Sequence, residues 1–266
     1  MKLEGCHALI TGASAGIGRE LARQLAGCAD TLILVARREE RLVQLRDELT
    51  TRYPRLQVAL HRSDLAKAEE VDELVHWIEG EKFQIDLLVN NAGLGDLGAF
   101  ATADPEKIDK MMLVNMVALT RLTRALLPAM IAQKRGAILN VSSSASFIPI
   151  PNFAVYAATK AYVTSFSEAL RGELRGTGVS VSALCPGPVK TEFTEVARRE
   201  GQAGELPGSN LAHVSVETVA TAALHGIEHE RAIVIPGAMM KLGMTLVRLT
   251  PLSVLRLISR FTAKEA

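Results

Sequence analysis

The chain has 266 residues, enough for a full hydrophobic core, and 48% of them are apolar. Its 30 basic and 29 acidic residues leave a formal charge of +1, so composition gives no reason to expect a nucleic-acid surface or a polyanionic partner. The three cysteines, Cys6, Cys28 and Cys185, lie in or beside apolar runs without metal-type spacing, and we interpret them as reduced core residues.

Seven short β-rich runs alternate with longer helical stretches. They are CHALIT (6–11), TLILVA (31–36), LQVALH (56–61), IDLLVN (85–90), GAILNVS (136–142), VSVSALC (179–185) and AIVIP (232–236). Their apolar residues are continuous rather than alternating, which indicates strands buried on both faces. The sequence therefore predicts an α/β fold of the Rossmann type, a doubly wound parallel sheet of about seven strands with helices on both faces.

A glycine-rich turn, TGASAGIG (11–18), follows the first strand and precedes a helix-forming run. Such a turn lets the backbone approach a pyrophosphate, which then lies at the amide-rich end of the helix. The spacing is not G-x-G-x-x-G, and a glycine turn can also be only a tight connection. The residues predicted to contact a cofactor in this turn are Gly12, Ser14, Gly16, Ile17 and Gly18.

The first apolar run begins almost at once and leaves no room for a secretion signal, so we expect a cytoplasmic protein.

The second strand ends in Ala36, Arg37 and Arg38, where an NAD-binding protein would present an acidic residue to the ribose. A guanidinium there favours the additional phosphate of NADP, because it can bind two phosphate oxygens at once. We therefore predict NADP(H) as cofactor and favour it over NAD(H). Alternatively, the arginines only solvate the next helix, and of the two we expect Arg38 to be the bystander.

Polar residues also lie near the carboxyl ends of later strands, in NNAG (90–93) and NVSSSAS (140–146). Both loops should border one crevice, because ligands bind beyond the strands' carboxyl ends. In NFAVYAATKAYV (152–163), Tyr156 and Lys160 are four residues apart and share one helix face. A bonded phenol and a snorkelling lysine would be the ordinary alternative.

These motifs together resemble the short-chain dehydrogenase/reductase family in order and spacing. The matching segments are TGASAGIG, the pair Asp64 and Leu65, NNAG, Asn115, NVSS, YAATK and PGPVKT, which run from residue 11 to 191. The resemblance implies hydride transfer between a nicotinamide and a carbonyl or secondary alcohol. It also implies a homodimer or homotetramer, paired through the helices that carry Asn115 and Tyr156.

The resemblance implies a role for each matching residue. Ser143 would stabilise charge on the carbonyl oxygen, Tyr156 would supply the proton, and Lys160 would favour the phenolate. Asn115 would hold a water that links Lys160 to solvent. The other implied cofactor contacts are Asp64, Leu65, Asn90, Ala92, Gly93, Tyr156, Lys160, Pro186, Gly187, Val189 and Thr191. An offset of one would select Ser142 or Ser144 in place of Ser143.

Two segments depart from the strand and helix alternation. The first is a long polar stretch near 192–215, which we predict to be a substrate loop. The second is an apolar extension over 237–266, which follows a single NAD(P)-binding domain over 1–236. Its pattern is amphipathic, and Pro251 and arginines interrupt it, so it is too short and too polar to span a bilayer. Its apolar positions are Leu242, Leu246, Leu249, Leu252, Leu255, Ile258 and Phe261, with Arg248, Arg256, Arg260 and Lys264 among them.

This extension could lie on a membrane surface, cap the substrate crevice, or pack on the body or a second subunit. It resembles the tails of ketoacyl and hydroxysteroid reductases, which implies an apolar small-molecule carbonyl or alcohol as substrate.

The histidines show no ligand-like spacing, so no metal site is predicted. The rival interpretation is a non-catalytic NADP(H)-binding sensor or regulatory protein, and an isomerase would reuse the same chemistry.

Overall fold

The structure is a computed structural model that describes residues 1–199, 214–251 and 253–254. The strands are β1 (His7–Thr11), β2 (Thr31–Ala36), β3 (Gln57–Arg62), β4 (Leu87–Asn90), β5 (Gly136–Val141), β6 (Val179–Leu184) and β7 (Ile233–Val234). The helices are α1 (Gly16–Leu25), α2 (Glu39–Arg52), α3 (Ala68–Gly80), α4 (Pro105–Met112), α5 (Leu119–Ala132), α6 (Ala154–Glu173), α7 (Glu192–Ala197), α8 (Val216–Glu228) and α9 (Ala238–Leu249). Short 3₁₀ turns lie at Phe100–Thr102 and Ser144–Phe147, and a π-helical segment, Leu113–Ala118, joins α4 to α5.

The strands form one parallel sheet in the order β3-β2-β1-β4-β5-β6-β7. The predicted fold class is confirmed. The chain winds outward from β1 to β3 and then crosses back to β4, so β1 pairs with both β2 and β4. This reversal opens a crevice beyond the carboxyl ends of β1 and β4, which is where ligands bind in such sheets.

Two apolar cores cover the two faces of the sheet. One contains buried side chains of α1, α2 and α8, and the other contains those of α3, α5 and α6. Every residue of β2, β5 and β6 is buried, because helices cover both of their faces. Continuous apolar runs are the sequence pattern that this arrangement requires.

One helical stretch, Pro105–Ala132, is long and apolar enough to cross a membrane by length and composition alone, with a mean hydropathy of 1.2. It comprises α4, the π-helical segment and α5. It contacts α3, α6 and β5, as a helix that covers a sheet does. Its position in the sheet-covering layer accounts for its apolar composition.

The predicted extension begins with α9, which follows Gly237 at a positive φ of 87°. This helix contacts the turn Ser144–Phe147 beside the crevice. Its residues Met239, Leu242, Leu246 and Leu249 are 58–78% exposed. The predicted positions from 255 onward, together with Leu252 and the middle of the predicted loop (200–213), lie outside the described residues, so the domain boundary at 236 stays a prediction.

Candidate active site

The glycine turn lies at the bottom of the crevice, between β1 and α1. Gly12 and Gly16 have positive φ values of 67° and 54°, which favour glycine. A Cβ atom at Gly12 would lie 2.9 Å from the Cα of Ala92, so the turn also needs glycine for close packing. Helix α1 begins at Ala15 without a side-chain cap and has no acidic residue in its first turn. Its amide groups therefore face the crevice without an internal anion, which fits a dinucleotide diphosphate.

Asn91, which is not among the predicted cofactor contacts, ties β4 to this turn. Its Nδ2 donates to the carbonyl oxygens of Thr11 (2.9 Å) and Gly12 (3.3 Å), and its backbone N–H donates to Thr11 Oγ1 (3.0 Å). The same Nδ2 limits the space at Gly12 and Gly18. The signal was present as the second asparagine of NNAG, but the sequence does not show which of the two faces the turn.

Asn90 has a different position from the one predicted. Its side chain is buried and donates to Thr123 Oγ1 (3.1 Å) and Asn140 Oδ1 (2.9 Å) in the core. The prediction that Asn90 lines the cofactor is therefore wrong for its side chain, because side chains alternate between the two faces at the end of β4.

The two arginines after β2 also differ from expectation. Arg38 donates from Nη2 to Ser14 Oγ at 3.2 Å, which places its guanidinium beside the glycine turn. Arg37 is exposed, and no hydrogen bond or ion pair is formed by its side chain within the described residues. The expectation that Arg38 is the bystander is wrong, because the backbone turns between β2 and α2 and points the second arginine back to the crevice.

Two of the predicted cofactor contacts, Asp64 and Leu65, follow β3. Asp64 Oδ1 accepts from the backbone N–H of Ala66 at 3.1 Å, and its own N–H donates to Glu70 at 2.6 Å. Leu65 is 7% exposed and belongs to the core on the α3 side of the sheet. Hydrogen bonds within the turn therefore hold its conformation, and the buried Leu65 side chain anchors it to the core.

Tyr156 and Lys160 lie on one face of α6 and are both buried. Lys160 Nζ donates to the carbonyl oxygen of Val141 at the end of β5 (2.8 Å) and lies 5.8 Å from the centroid of the Tyr156 ring. A Cβ atom at Gly93 would lie 3.4 Å from Nζ. The ammonium therefore occupies the space between the NNAG loop and the end of β5, next to the phenol.

Three consecutive serines follow β5, and the hydroxyls of the first two make different contacts. Ser142 Oγ donates to the carbonyl oxygen of Lys160 (2.8 Å) inside the protein. Ser143 Oγ accepts from the backbone N–H of Ala145 (3.1 Å), and its side chain also interacts with the Tyr156 phenol. Ser143 is thus the serine whose hydroxyl lies at the phenol.

Burial controls the protonation of both α6 residues. It raises the pKa of Tyr156 to about 12, an effect that the hydrogen bond with Ser143 opposes. It lowers the pKa of Lys160 to about 8. Burial is thus the largest effect on both pKa values, and the stabilisation of the phenolate by Lys160 stays a prediction.

Asn115 lies in the π-helical segment between α4 and α5, and its side chain makes three hydrogen bonds within the protein. Its Oδ1 accepts from the backbone N–H of Leu94 (2.8 Å), and its Nδ2 donates to the Leu94 carbonyl (2.9 Å) and to Thr159 Oγ1 (3.0 Å). Its Oδ1 accepts one hydrogen bond and can accept a second, so the predicted water at Asn115 stays a prediction. The π-helical register also shifts main-chain groups out of the regular helical ladder, which leaves such groups available to bind a water.

Helix α7 forms a roof over Tyr156 that the sequence did not reveal. Phe193 lies with its ring centroid 5.4 Å from that of Tyr156, and Phe153 stacks on the phenol at 4.2 Å. A Cβ atom at Gly95 would lie 2.7 Å from the Phe193 ring, so this glycine makes room for the roof. Both rings cover the phenol ring and contribute to the burial of Tyr156.

An ion-pair cluster holds the C-terminal end of helix α7, the roof over Tyr156, in place. Asp96 is 6% exposed and accepts from Arg199 Nε (3.1 Å), while Lys107 Nζ lies 3.2 Å from its carboxylate. The Arg199 guanidinium holds the pKa of the Asp96 carboxyl below its usual range. Because the carboxylate is buried and doubly paired, it joins α7 firmly to the loop after β4.

The loop after β6 borders the crevice on the side of α9. Pro186 accepts at its carbonyl from the backbone N–H of Ser144 (2.8 Å), and Gly187 lies against the Met240 side chain. Thr191 approaches the glycine turn, since a Cβ atom at Gly16 would lie 3.4 Å from its methyl group. Of the other predicted contacts, Ile17, Ala92 and Val189 are partly buried and pack against the cores. In the described ranges, no cluster of histidine, cysteine or acidic residues could hold a metal ion.

The sequence profile of the family described as short chain dehydrogenase matches residues 6–202. Very-long-chain 3-oxoacyl-CoA reductase from Anas platyrhynchos is 32% identical over 199 residues, which cover 73% of this chain. The chain spans less than two thirds of the length of its first curated relatives, 63% in the case of that protein.

Solved structures show the same similarity. A short-chain dehydrogenase from Sphingobium yanoikuyae in complex with NADPH is 33% identical, with a TM-score of 0.79 and 88% of each chain covered. A short chain dehydrogenase/reductase from Burkholderia phymatum in complex with NAD is 26% identical, with a TM-score of 0.80 and coverage of 92% of this chain and 94% of that one.

Proposed function

The chain belongs to the short-chain dehydrogenase/reductase family, and from this premise we propose that it is an NADP(H)-dependent oxidoreductase. It would transfer a hydride between the nicotinamide and the carbonyl carbon of an apolar ketone, or the corresponding secondary alcohol. The observation that carries the proposal is the meeting of Ser143, Tyr156 and Lys160 beside an uncapped glycine turn. A tyrosine and a lysine with purely structural roles would have no reason to lie in the same crevice as a site suited to a diphosphate.

The chain's own residues would handle the proton. When bound, the nicotinamide supplies or accepts the hydride. In the reducing direction Tyr156 Oη donates a proton to the carbonyl oxygen, and the Ser143 hydroxyl donates a hydrogen bond that stabilises the charge growing there. A phenol with a pKa of about 12 is fully protonated at neutral pH, so it is ready to act as the acid.

Lys160 would support the tyrosine after proton transfer. The phenolate is an anion in a buried site, and an ammonium within 5.8 Å of its ring favours that charge. With a pKa of about 8, Lys160 is largely protonated at neutral pH and can pass a proton on. The proton would return through a water held at main-chain groups near Asn115.

The preference for NADP(H) rests on the charge beside the glycine turn. Arg38 faces Ser14, and β2 ends in Ala36 rather than in an acidic residue. A guanidinium at this place can form an ion pair with the 2′-phosphate of NADP(H). The ribose of NAD(H) has no such charge, so the guanidinium gives it no comparable advantage over water. The NADPH complex of the Sphingobium yanoikuyae relative supports this choice, although the Burkholderia phymatum relative holds NAD.

An apolar substrate is favoured by the surroundings of the phenol. The side chains packed around Tyr156 are apolar, and they are Leu94, Leu97, Met111, Ala145, Ile150, Phe153, Ala157 and Phe193. A polar sugar or amino-acid derivative would leave its hydroxyl or ammonium groups unpaired here. The named activity of the Anas platyrhynchos relative, on 3-oxoacyl-CoA, agrees with an apolar chain beside the reacting carbonyl.

The test is oxidation of NADPH and NADH by the purified protein with ketones graded from small and polar to long-chain and steroidal. We expect NADPH to be preferred and kcat/KM to rise with apolar size, by about fourfold for each buried methylene, since each contributes about 0.8 kcal/mol. Preference for sugars or amino-acid derivatives would contradict the substrate class. Cofactor binding without turnover of any ketone would instead favour the sensor function.

We further propose that α9 binds anionic lipid surfaces. Its exposed apolar residues include Leu242 and Leu246, and no acidic residue occurs between Arg231 and Lys264. Apolar residues beside basic residues, with no acidic residues among them, are typical of helices that lie on a membrane. The helix also borders the crevice, so docking would bring the substrate entrance close to lipid.

In flotation assays, we expect the protein to bind vesicles that contain phosphatidylserine and to release them in high salt, where charge attraction is screened. The double substitution Leu242→Ser and Leu246→Ser should reduce binding at least fivefold, because two buried side chains are lost. Ile131→Ser, an equally polar change at an exposed residue of α5, is the matched control. Equal binding to neutral and anionic vesicles would contradict the proposal.

Self-association is proposed on separate grounds. The helical layer that carries Asn115 and Tyr156 exposes apolar residues, with Val117 and Tyr162 each about two fifths exposed. A homodimer or homotetramer would bury such residues in a symmetric contact.

A further inference from the structure

A bridge of three charged side chains crosses the glycine turn, outside the catalytic cluster. Glu192, the first residue of α7, accepts from Arg38 Nη1 at 2.8 Å through one oxygen and from Arg41 Nη1 at 2.5 Å through the other. Arg41 lies on α2, one turn after Arg38. The carboxylate therefore joins the loop after β6 to the connection between β2 and α2.

The bridge spans the position proposed for the cofactor. The remaining guanidinium nitrogens of Arg38 donate to Ser14 Oγ in the glycine turn (Nη2 at 3.2 Å). The residue before Glu192, Thr191, lies over Gly16 of the same turn. An anion held by both arginines at this place is thus already present in the chain itself.

We propose that Glu192 is an internal competitor of the cofactor, whose carboxylate takes the positions on Arg38 and Arg41 that the 2′-phosphate of NADP(H) would bind. The inference rests on the proposed NADP(H) function and adds a residue that limits the preference for NADP(H) over NAD(H). NAD(H) has no 2′-phosphate, so its binding does not require the carboxylate to leave. Glu192 therefore lowers the affinity for one cofactor and leaves the other unchanged.

The chemistry favours displacement. The 2′-phosphate carries a charge of about −1.5 to −2 at neutral pH and offers three acceptor oxygens, against two oxygens and a single charge on the carboxylate. The side chains of Arg38 and Glu192 are 43% and 44% exposed, so their ion pair is screened by solvent and easily broken. The guanidinium of Arg38 also lowers the pKa of the Glu192 carboxyl, which keeps the competitor anionic at neutral pH.

Isothermal titration calorimetry on the full chain tests the inference without any turnover. The probes are NADP⁺ and adenosine 2′,5′-bisphosphate, which carry the 2′-phosphate, and NAD⁺ and 5′-AMP, which do not. For Glu192→Gln we expect the first pair to bind about two- to fivefold more tightly, the range that an exposed ion pair allows, and the second pair to be unchanged. Glu195→Gln, on the exposed side of the same helix, is the matched control and should change neither pair.

A second background separates competition from a change in the loop. With Arg38→Gln and Arg41→Gln already introduced, Glu192→Gln should have no effect on NADP⁺ affinity, because the shared ligands are gone. If Glu192→Gln leaves NADP⁺ binding unchanged or weaker, or tightens NAD⁺ equally, the inference is overturned while the proposed function stands. If the wild-type protein binds neither NADP⁺ nor NAD⁺, the proposed function fails and the inference fails with it.

Discussion

Tyr156→Phe is expected to reduce kcat/KM for ketone reduction by about 10²- to 10⁴-fold, equivalent to about 3 to 5 kcal/mol of transition-state stabilisation. The substitution removes the hydroxyl that we propose donates the proton to the carbonyl oxygen, while the Ser143 hydroxyl and the Lys160 ammonium stay in place. The ring itself stays, stacked on Phe153 and in tilted contact with Phe193. Folding and NADP⁺ affinity should therefore change little, so the loss is measured as activity at unchanged binding.

The same helix provides a matched control. Tyr162 lies on the exposed side of α6, and its hydroxyl is 2.8 Å from Thr120 Oγ1. Tyr162→Phe removes the same atom from the same helix and should retain near wild-type turnover. A Tyr156→Phe protein that keeps more than a tenth of the wild-type kcat/KM would show that the phenol is not the proton donor.

Gly18→Ala is expected to lower the free energy of unfolding by about 1 to 3 kcal/mol and to weaken NADP⁺ binding at least tenfold. A Cβ atom at this position would overlap Asn91 Nδ2 and lie 2.6 Å from the Gly12 carbonyl oxygen. One contact is the amide that ties β4 to the glycine turn, and the other is backbone that cannot move away. Urea unfolding and calorimetry with NADP⁺ measure the two effects separately.

Gly172→Ala is the control, because nothing lies within 4 Å of the added methyl group. This glycine is in the last turn of α6, where alanine is a better helix former, so we expect stabilisation by about 0.5 to 1 kcal/mol and unchanged NADP⁺ affinity. If the two substitutions shift the unfolding midpoint in the same direction, the close packing of the glycine turn has no energetic role.

The fold could be predicted from the sequence because its signals are local or repeated. Strands buried on both faces must be apolar throughout, so continuous runs indicated a covered parallel sheet without knowledge of any contact. The pairing of Tyr156 with Lys160 was equally local, since residues four apart on a helix share a face whatever surrounds them.

The choice between neighbouring residues depended on the tertiary structure. Asn91 rather than Asn90 reaches the glycine turn, and Arg38 rather than Arg37 faces Ser14. Each pair has the same residue type at adjacent positions, so composition cannot distinguish its members. The backbone direction at the end of a strand decides which side chain points to the crevice, and that direction is fixed by contacts with distant segments.

The electrostatics of the site also depended on tertiary packing. From the sequence alone, an adjacent ammonium predicts a lower pKa for the phenol, but the α7 roof buries Tyr156 and raises that pKa to about 12. The roof depends on Phe193 and on the Asp96 cluster, which lie far from α6 in sequence. The sequence by itself thus determined the fold and the family motifs, and it predicts which side chains react. Only the tertiary structure decided their orientation, burial and charge, because these depend on which remote segments exclude water from them.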